Sequence, residues 1–291
     1  MILVTGATGL SGSAILREFT RQGVPLRALF RNPHRARQFE GFGGVELVEG
    51  DMLRPESLTA AFRGVERVLM ISSARERMVE TQCVFIDAAR VAGVPYIVKY
   101  SGKESGVGFD PDSFRGTREH VQIERYLEAS GLAWTHLRPS QFMQLYLPGA
   151  LTGVDARRRE LRLPIGDSRL APVDIEDIAK VAVALMRSNG HEGKAYDMTG
   201  PEALSMKEAV EQISEATGTA FRYVDVPPEG KVREFEDSGM PGPVIQILNE
   251  LFAERSRRTE SHVRLETHRA FDVEPTRFID FARRNAKAFL G

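Results

Sequence analysis

A glycine-rich turn near the start of the chain most constrains what this sequence can fold into. Residues 6–12 read Gly-Ala-Thr-Gly-Leu-Ser-Gly, between a short apolar segment at 2–5 and a segment with helical spacing. In a strand–turn–helix unit, glycines allow a tight turn and close backbone approach, and the amides at the helix N-terminus hold a pyrophosphate. The turn therefore predicts a dinucleotide site. The alternative is a tight turn in which glycine only relieves strain. The predicted cofactor contacts of this turn are Gly6, Thr8, Gly9, Leu10 and Gly12.

The first half of the chain alternates short apolar runs with segments of helical spacing. This alternation is typical of βαβ units and a parallel sheet. The runs are nearly continuous in hydrophobicity, as expected for strands covered by helices on both faces. We predict an α/β fold with a Rossmann-type, doubly wound parallel sheet. The predicted strands are 2–5, 26–30, 45–49, 65–72, 96–100 and 134–137, and the predicted helices are 13–21, 55–61, 78–92 and 115–130.

The pattern changes after residue 148. Ser205 and Glu208 have the spacing of a capping box and predict a helix that runs to about residue 217. We expect a dinucleotide-binding domain over 1–148 and a smaller α/β substrate-binding part over 149–291. Segments within about 171–200 are candidates to return to the first domain. Further predicted elements are short strands at 171–173 and 195–199 and helices at 175–187, 243–254 and 275–289.

The end of the second predicted strand favours one nicotinamide nucleotide over the other. An acidic residue about twenty positions after a glycine turn binds both ribose hydroxyls of NAD(H) and repels a 2′-phosphate. This chain has Arg31 there, and no acidic residue lies between Val24 and Phe39. A guanidinium suits a phosphate, so the sequence favours NADP(H) over NAD(H). A solvated face is the alternative for the other basic residues of this loop.

Further polar residues follow the later predicted strands. The carboxyl ends of parallel strands share one edge, where open α/β sheets bind ligands. We therefore expect these residues to contact the cofactor, although Asp51 has the equal alternative of capping a turn. They are Asp51 and Met52 after the third strand, Ser72 and Ser73 after the fourth, Tyr100 and Ser101 after the fifth, and Pro139, Ser140 and Phe142 after the sixth.

Composition excludes several classes of protein. Lys plus Arg number 39 and Asp plus Glu number 40, a net charge of −1, so nucleic acid is not an expected partner. No uncharged apolar run approaches the roughly 18 residues of a membrane helix, and no secretory signal is visible at Met1. The chain has one cysteine, and its histidines lack metal-site spacing. We expect a cytoplasmic protein that binds no metal and is not associated with a membrane.

With these motifs in place, the chain resembles the NmrA-like family of atypical short-chain dehydrogenase/reductases, and within it the small quinone and azo-dye reductases. The resemblance implies an NAD(P)H-dependent oxidoreductase that transfers a hydride to a flat electrophilic acceptor, such as a quinone or an azo compound. It also implies a cofactor on the first domain and a substrate cleft beneath the smaller part. The motifs that carry it lie at 4–12, 31–33, 49–51, 119–132, 137–143, 173–178 and 278–282.

The chain lacks the Tyr-x-x-x-Lys pair with which typical short-chain dehydrogenases exchange a proton. We predict that His120 supplies the proton, because the pKa of an imidazole suits exchange at neutral pH. The alternative is a contact with Glu124 one helical turn away. Lys103 is a second catalytic candidate, with solvation in a loop as its alternative.

The acceptor pocket is predicted from residues that follow the sixth strand. Phe142, Met143 and Tyr146 form an apolar and aromatic group suited to a flat acceptor. Such aromatic residues are as often part of a hydrophobic core, and the sequence leaves both assignments open.

A redox sensor is the alternative function, since NmrA-like proteins include regulators that bind dinucleotides and act through a protein partner. Arginines at 157–159 and within 254–269 are the candidate contacts for such a partner, with solvated faces as their alternative. The sequence leaves open whether the chain forms a homo-oligomer and whether residues 230–243 close over the site.

Overall fold

The computed structural model of the chain describes residues 1–72, 77–102, 108–257 and 260–291. The strands are β1 (Ile2–Val4), β2 (Leu26–Phe30), β3 (Val45–Glu49), β4 (Arg67–Met70), β5 (Tyr96–Tyr100), β6 (Ala133–Pro139), β7 (Glu160–Leu163), β8 (Arg169–Leu170), β9 (Lys194–Met198), β10 (Leu204–Ser205) and β11 (Arg222–Asp225). The helices are α1 (Leu10–Arg21), α2 (Pro33–Ala36), α3 (Thr59–Phe62), α4 (Met78–Val91), α5 (Arg115–Glu128), α6 (Ile175–Arg187), α7 (Met206–Thr217), α8 (Pro228–Asp237), α9 (Gly242–Ser256), α10 (Glu266–Ala270), α11 (Phe278–Arg284) and α12 (Ala286–Leu290). Among the described residues, 3₁₀ segments lie at Arg37–Phe39, Pro55–Leu58 and Met143–Tyr146.

Within the described residues, seven strands form one sheet in the order β3-β2-β1-β4-β5-β6-β9. Every neighbouring pair is parallel. The predicted doubly wound α/β fold is therefore confirmed, with one strand more than the six predicted in the first half. The strand order reverses beside β1, and ligands of such sheets bind at the carboxyl ends of the strands near that point.

Both faces of this sheet are covered by helices. Val4 of β1 and Leu137 of β6 face α1 and α6, in a cluster that includes Ile178. Leu3 of β1 faces the other way, toward a cluster that includes Phe85 of α4. Alternate residues of one strand thus enter different cores, which explains why the strands are apolar almost throughout.

The second half of the chain contributes to two regions. β9 pairs with β6 at the sheet edge, and α6 packs against α1. The remaining elements include the parallel pair of β7 and β11 and the antiparallel pair of β8 and β10. They enclose a separate core in which Phe278 and Phe281 of α11 pack with Ile213 of α7. The boundary between 148 and 149 stays a prediction.

Several predicted elements of the second half differ from the structure. The strand expected at 171–173 lies earlier, at β8, and Val173 forms an isolated bridge to Phe142. The helix expected at 275–289 starts later and divides at Asn285, whose non-helical backbone separates α11 from α12. β7 and β11 were not predicted, because a run of four mixed polar and apolar residues gives a weak periodic signal. The ten-residue helix α8 was not predicted either.

The capping box is confirmed: Ser205 and Glu208 bond reciprocally at the start of α7. α8 takes up much of the segment considered as a closing loop, and its Phe235 stacks on Phe252 of α9. In the part of the chain that the structure describes, no helix is long and apolar enough to span a membrane.

Candidate active site

The glycine turn has the shape that a phosphate site requires. Gly6 has a positive φ of 60°, and a β-carbon on Gly12 would overlap the carbonyl oxygen of Gly6. The N-cap of α1 is Gly9, which has no side chain to cap the helix, and the first turn contains no acidic residue. The first-turn amides therefore point out of the helix end without a partner inside the helix. This cradle fits a dinucleotide pyrophosphate.

Basic side chains lie next to this turn. Arg31 is exposed where β2 ends. The Asn32 side chain accepts a hydrogen bond of 2.9 Å from the His34 amide and so caps α2. The Arg35 guanidinium donates to the Thr8 carbonyl across 3.3 Å, and α2 is thereby held beside the glycine turn. Three of the predicted contacts lie together at this end of the sheet: Arg31, Thr8 and Leu10. The Leu10 side chain is exposed.

The predicted residues after β3 and β4 have internal partners. Asp51 Oδ1 accepts a hydrogen bond of 3.0 Å from the Leu53 amide and so caps the turn, while its contact with the cofactor stays a prediction. Met52 is buried in the core beneath the sheet rather than presented at the edge. Ser72 accepts a hydrogen bond of 2.8 Å from the Gln82 side chain. Ser73 lies outside the described residues.

Tyr100 and Ser101 connect the end of β5 to two helices. The Tyr100 hydroxyl donates to Ser11 Oγ across 3.1 Å and so contacts the first turn of α1. Burial raises the pKa of the Tyr100 phenol above its ordinary value. Ser101 Oγ donates to Glu124 of α5 across 2.7 Å. Both residues thus lie at the predicted edge, where they join the glycine turn to α5.

A cavity of about 250 Å³ opens at the same edge, between the ends of β5 and β6 and helices α5 and α9. Within the described residues, Oε1 of the buried Gln141 has no hydrogen-bond partner. Five predicted site residues line the cavity: Pro139, Ser140, Phe142, Ser101 and His120. Other lining residues include Phe114, Gln141, Leu145, Ile247 and Leu251.

His120 lies on the cavity wall with its two ring nitrogens in different surroundings. Nδ1 lies 3.0 Å from Lys99 Nζ and 3.5 Å from Ser101 Oγ. Nε2 lies beside Gly102, where a β-carbon would stand only 2.9 Å away. Gly102 also lines the cavity, so a larger residue there would displace the ring. The second catalytic candidate, Lys103, lies outside the described residues.

A buried ion pair supports this wall from behind. Arg138 of β6 binds Glu124 through two hydrogen bonds, from Nε to Oε1 over 2.9 Å and from Nη2 to Oε2 over 2.7 Å. Burial acts to raise the pKa of the Glu124 carboxyl, but the hydrogen bonds from Arg138 and Ser101 outweigh it and lower the pKa to about 2. Glu124 is therefore ionised at neutral pH.

Two residues predicted for the acceptor pocket lie elsewhere. Met143 and Tyr146 are each 1% exposed and belong to the core of the second half. The Tyr146 ring packs edge-to-face on Phe278, with centroids 4.9 Å apart. The 3₁₀ segment Met143–Tyr146 directs both side chains away from the cavity, so the core alternative describes them.

Sequence reasoning missed Lys99 and the contribution of α9. Lys99 is a charged residue within the otherwise apolar β5 and is fully buried. Because lysine is almost never fully buried without a partner, its position in a predicted interior strand was a usable signal. Ile247 and Leu251 of α9 gave no such signal, since apolar residues at helical spacing also occur in any core.

Comparisons with known proteins match almost the whole chain. The model of the NmrA-like family matches residues 1–282. The NAD(P)H azoreductase of Xenophilus azovorans is 35% identical to the chain, with 99% of each protein covered. Quinone oxidoreductase 2 of Escherichia coli is 27% identical, with 85% of each covered. The crystal structure of the NADPH-dependent quinone oxidoreductase of Escherichia coli with NADPH has the same fold, with a TM-score of 0.84, 24% identity and coverage of 98% and 99%.

Proposed function

The chain belongs to the NmrA-like family and is an NAD(P)H-dependent oxidoreductase, and from this premise we propose that it prefers NADPH and reduces a small flat acceptor, a quinone or an azo compound. In this proposal residues 1–148 hold the cofactor and residues 149–291 cover the acceptor. The observation that carries the proposal is the cavity between the strand ends and α9, with His120 on its wall.

The preference for NADPH rests on Arg31. Its guanidinium is exposed at the end of β2, the position from which an acidic residue would otherwise bind the ribose hydroxyls. A 2′-phosphate there would meet a planar cation and no carboxylate from residues 25–38. The neighbouring Arg35 adds positive charge beside Thr8.

The acceptor class follows from the cavity walls. The lining includes the apolar residues Phe114, Phe142 and Leu251. It also includes the polar residues Ser101, His120 and Gln141. A volume of about 250 Å³ lies below the usual range for drug-sized ligands, so the site favours a small acceptor. Such a site suits a flat molecule with few hydrogen-bonding atoms.

The chemistry demands little of the protein beyond positioning and one proton. When bound, the reduced nicotinamide supplies the hydride. His120 donates a proton from Nε2 to the oxygen or nitrogen of the acceptor that gains electron density. The apolar wall excludes water and keeps the acceptor flat against the strand ends.

NADPH oxidation with a panel of quinones and azo dyes tests the proposal. We expect steady turnover with at least one acceptor, a lower Kd for NADPH than for NADH, and loss of about 100-fold in kcat in His120→Ala. His262→Ala, which removes an exposed histidine, is the control and should retain full activity. Tight NADPH binding without turnover on any acceptor would overturn the proposal and favour the redox sensor.

A further inference from the structure

We propose that Lys99 is a positioning residue that acts through His120: it holds the imidazole in the Nε2–H form and replaces the proton that the ring gives to the acceptor. This inference rests on the proposed function and extends it to a residue outside the cavity. The observation behind it is the 3.0 Å contact between Lys99 Nζ and His120 Nδ1.

The position of Lys99 in the fold is unusual for a lysine. It is fully buried in β5, with β4 on one side and β6 on the other. Taking an ammonium out of water costs free energy unless polar partners replace the water. A hydrophobic residue would fill this strand position at a lower cost in free energy, so packing alone does not explain why a lysine is found here.

The contact determines which ring nitrogen carries the hydrogen. An ammonium has three donors and no acceptor, so a charged Lys99 must donate to the lone pair of Nδ1. The neutral ring then carries its hydrogen on Nε2, the nitrogen beside Gly102 on the cavity wall. Without Lys99, Nδ1 is free to take the hydrogen, and Nε2 would face the acceptor as a lone pair.

The same contact allows His120 to give up a proton while its ring stays neutral. A neutral imidazole that gives up its Nε2 proton would become an imidazolate, which is strongly basic. If the Lys99 proton moves to Nδ1 in the same step, the N–H bond at Nε2 breaks, a new N–H bond forms at Nδ1, and the ring stays neutral. Lys99 is left as a neutral amine. After the product leaves, a solvent proton enters through the cavity to Nε2, and the Nδ1 proton returns to Lys99.

A purely structural role for Lys99 would tie β5 to α5 and nothing more. The two roles differ in what they change: a structural contact affects stability and all steady-state constants together, whereas a positioning role affects kcat through His120. The discriminating measurement is therefore a double-mutant cycle on kcat with Lys99→Met, His120→Ala and the double variant.

We expect Lys99→Met to lower kcat about tenfold or more while KM for the acceptor and Kd for NADPH change less than about twofold. In the His120→Ala background, the same substitution should change kcat less than about twofold. Additive losses in the two backgrounds, or an unchanged kcat in Lys99→Met, would overturn the proposal. Lys99→Gln gives a second test if the methionine variant does not fold.

A measurement on the unmodified protein requires no Lys99 variant. In ¹⁵N-labelled protein, long-range proton–nitrogen correlation spectra assign the hydrogen of each imidazole, and comparison with His120→Ala identifies the His120 signals. We expect hydrogen on Nε2 and none on Nδ1 at neutral pH. Hydrogen on Nδ1 would overturn the proposal. Wild-type turnover with quinones or azo dyes is recorded alongside, so that failure of the proposed function is distinguished from failure of this inference.

Discussion

Glu124 and Arg138 form a two-point ion pair that joins α5 to β6 directly behind the cavity wall. The Glu124 side chain is 3% exposed and that of Arg138 is 18% exposed. The same carboxylate accepts a hydrogen bond from Ser101, and a second carboxylate, Asp197 of β9, lies 3.9 Å from Arg138. The pair therefore links the helix that carries His120 to the strands that end at the site.

Glu124→Gln should lower the free energy of unfolding by about 3 kcal/mol, because it removes the charge opposite a largely buried guanidinium. Chemical denaturation at neutral pH measures this. Glu80→Gln is the matched control, since Glu80 pairs with Arg77 at the surface, and it should leave stability nearly unchanged. Equal losses of unfolding free energy in the two variants would show that the buried pair stabilises the fold no more than the surface pair does.

The stability conferred by Glu124 should depend on pH. Its pKa falls from an ordinary value of 4.5 to about 2 in the folded protein. A carboxyl with a lowered folded-state pKa stabilises above its unfolded pKa, and the contribution is lost as the pH falls toward the folded value. The difference in unfolding free energy between wild type and Glu124→Gln should therefore shrink as the pH falls from about 4.5 toward about 2. A constant difference over this range would contradict the assignment.

Arg31→Ala should weaken NADPH binding about tenfold and leave NADH binding within about twofold, because only NADPH carries the 2′-phosphate. Fluorescence titration of both nucleotides measures the two dissociation constants. Arg17→Ala removes the same charge from an exposed position on α1, beyond its first turn, and serves as the control. A parallel loss for both nucleotides would assign Arg31 to a general electrostatic effect.

Gly12→Ala should abolish tight NADPH binding and destabilise the fold by about 2 kcal/mol, because the added methyl group overlaps backbone that cannot move freely. Calorimetric titration and thermal unfolding report the two effects. Gly43→Ala adds a methyl group where nothing lies within 4 Å and should change neither. Normal NADPH affinity in Gly12→Ala would rule out the turn as the phosphate site.

Ile247→Trp should raise KM for the acceptor at least tenfold while Kd for NADPH stays within about twofold, because the indole fills part of a small cavity lined by α9. Steady-state kinetics with one quinone is sufficient. Val91→Trp on the exposed end of α4 is the control for adding a large aromatic residue. An unchanged KM would place the acceptor outside this cavity.

Most of the sheet could be predicted because its signals are local. Three strands have their predicted bounds, since continuous apolar runs between turn residues indicate buried parallel strands. They are Leu26–Phe30, Val45–Glu49 and Tyr96–Tyr100. The strands Glu160–Leu163 and Arg222–Asp225 were not predicted. They pair with each other across some sixty residues of sequence. Neither strand is apolar enough to be identified without its partner.

The candidate site, like the fold, could be predicted only in part. The sequence predicted His120 from its residue type and its place on a helix. The structure adds that its two nitrogens face Lys99 and Gly102. Phe142 lines the cavity, whereas Tyr146, four residues on, lies in a core. Both are aromatic residues after the same strand, and only the direction of the 3₁₀ segment between them separates their roles.

The sequence by itself determined the sheet, the glycine turn and the lack of acidic residues between Val24 and Phe39, because each depends on residues that are neighbours along the chain. Tertiary structure alone decided that Lys99 meets His120, that Glu124 meets Arg138 and that α9 closes one side of the cavity. Those relationships join residues 14 to more than 100 positions apart. Contacts of that kind arise only when packing brings separate elements together, and no local pattern records them.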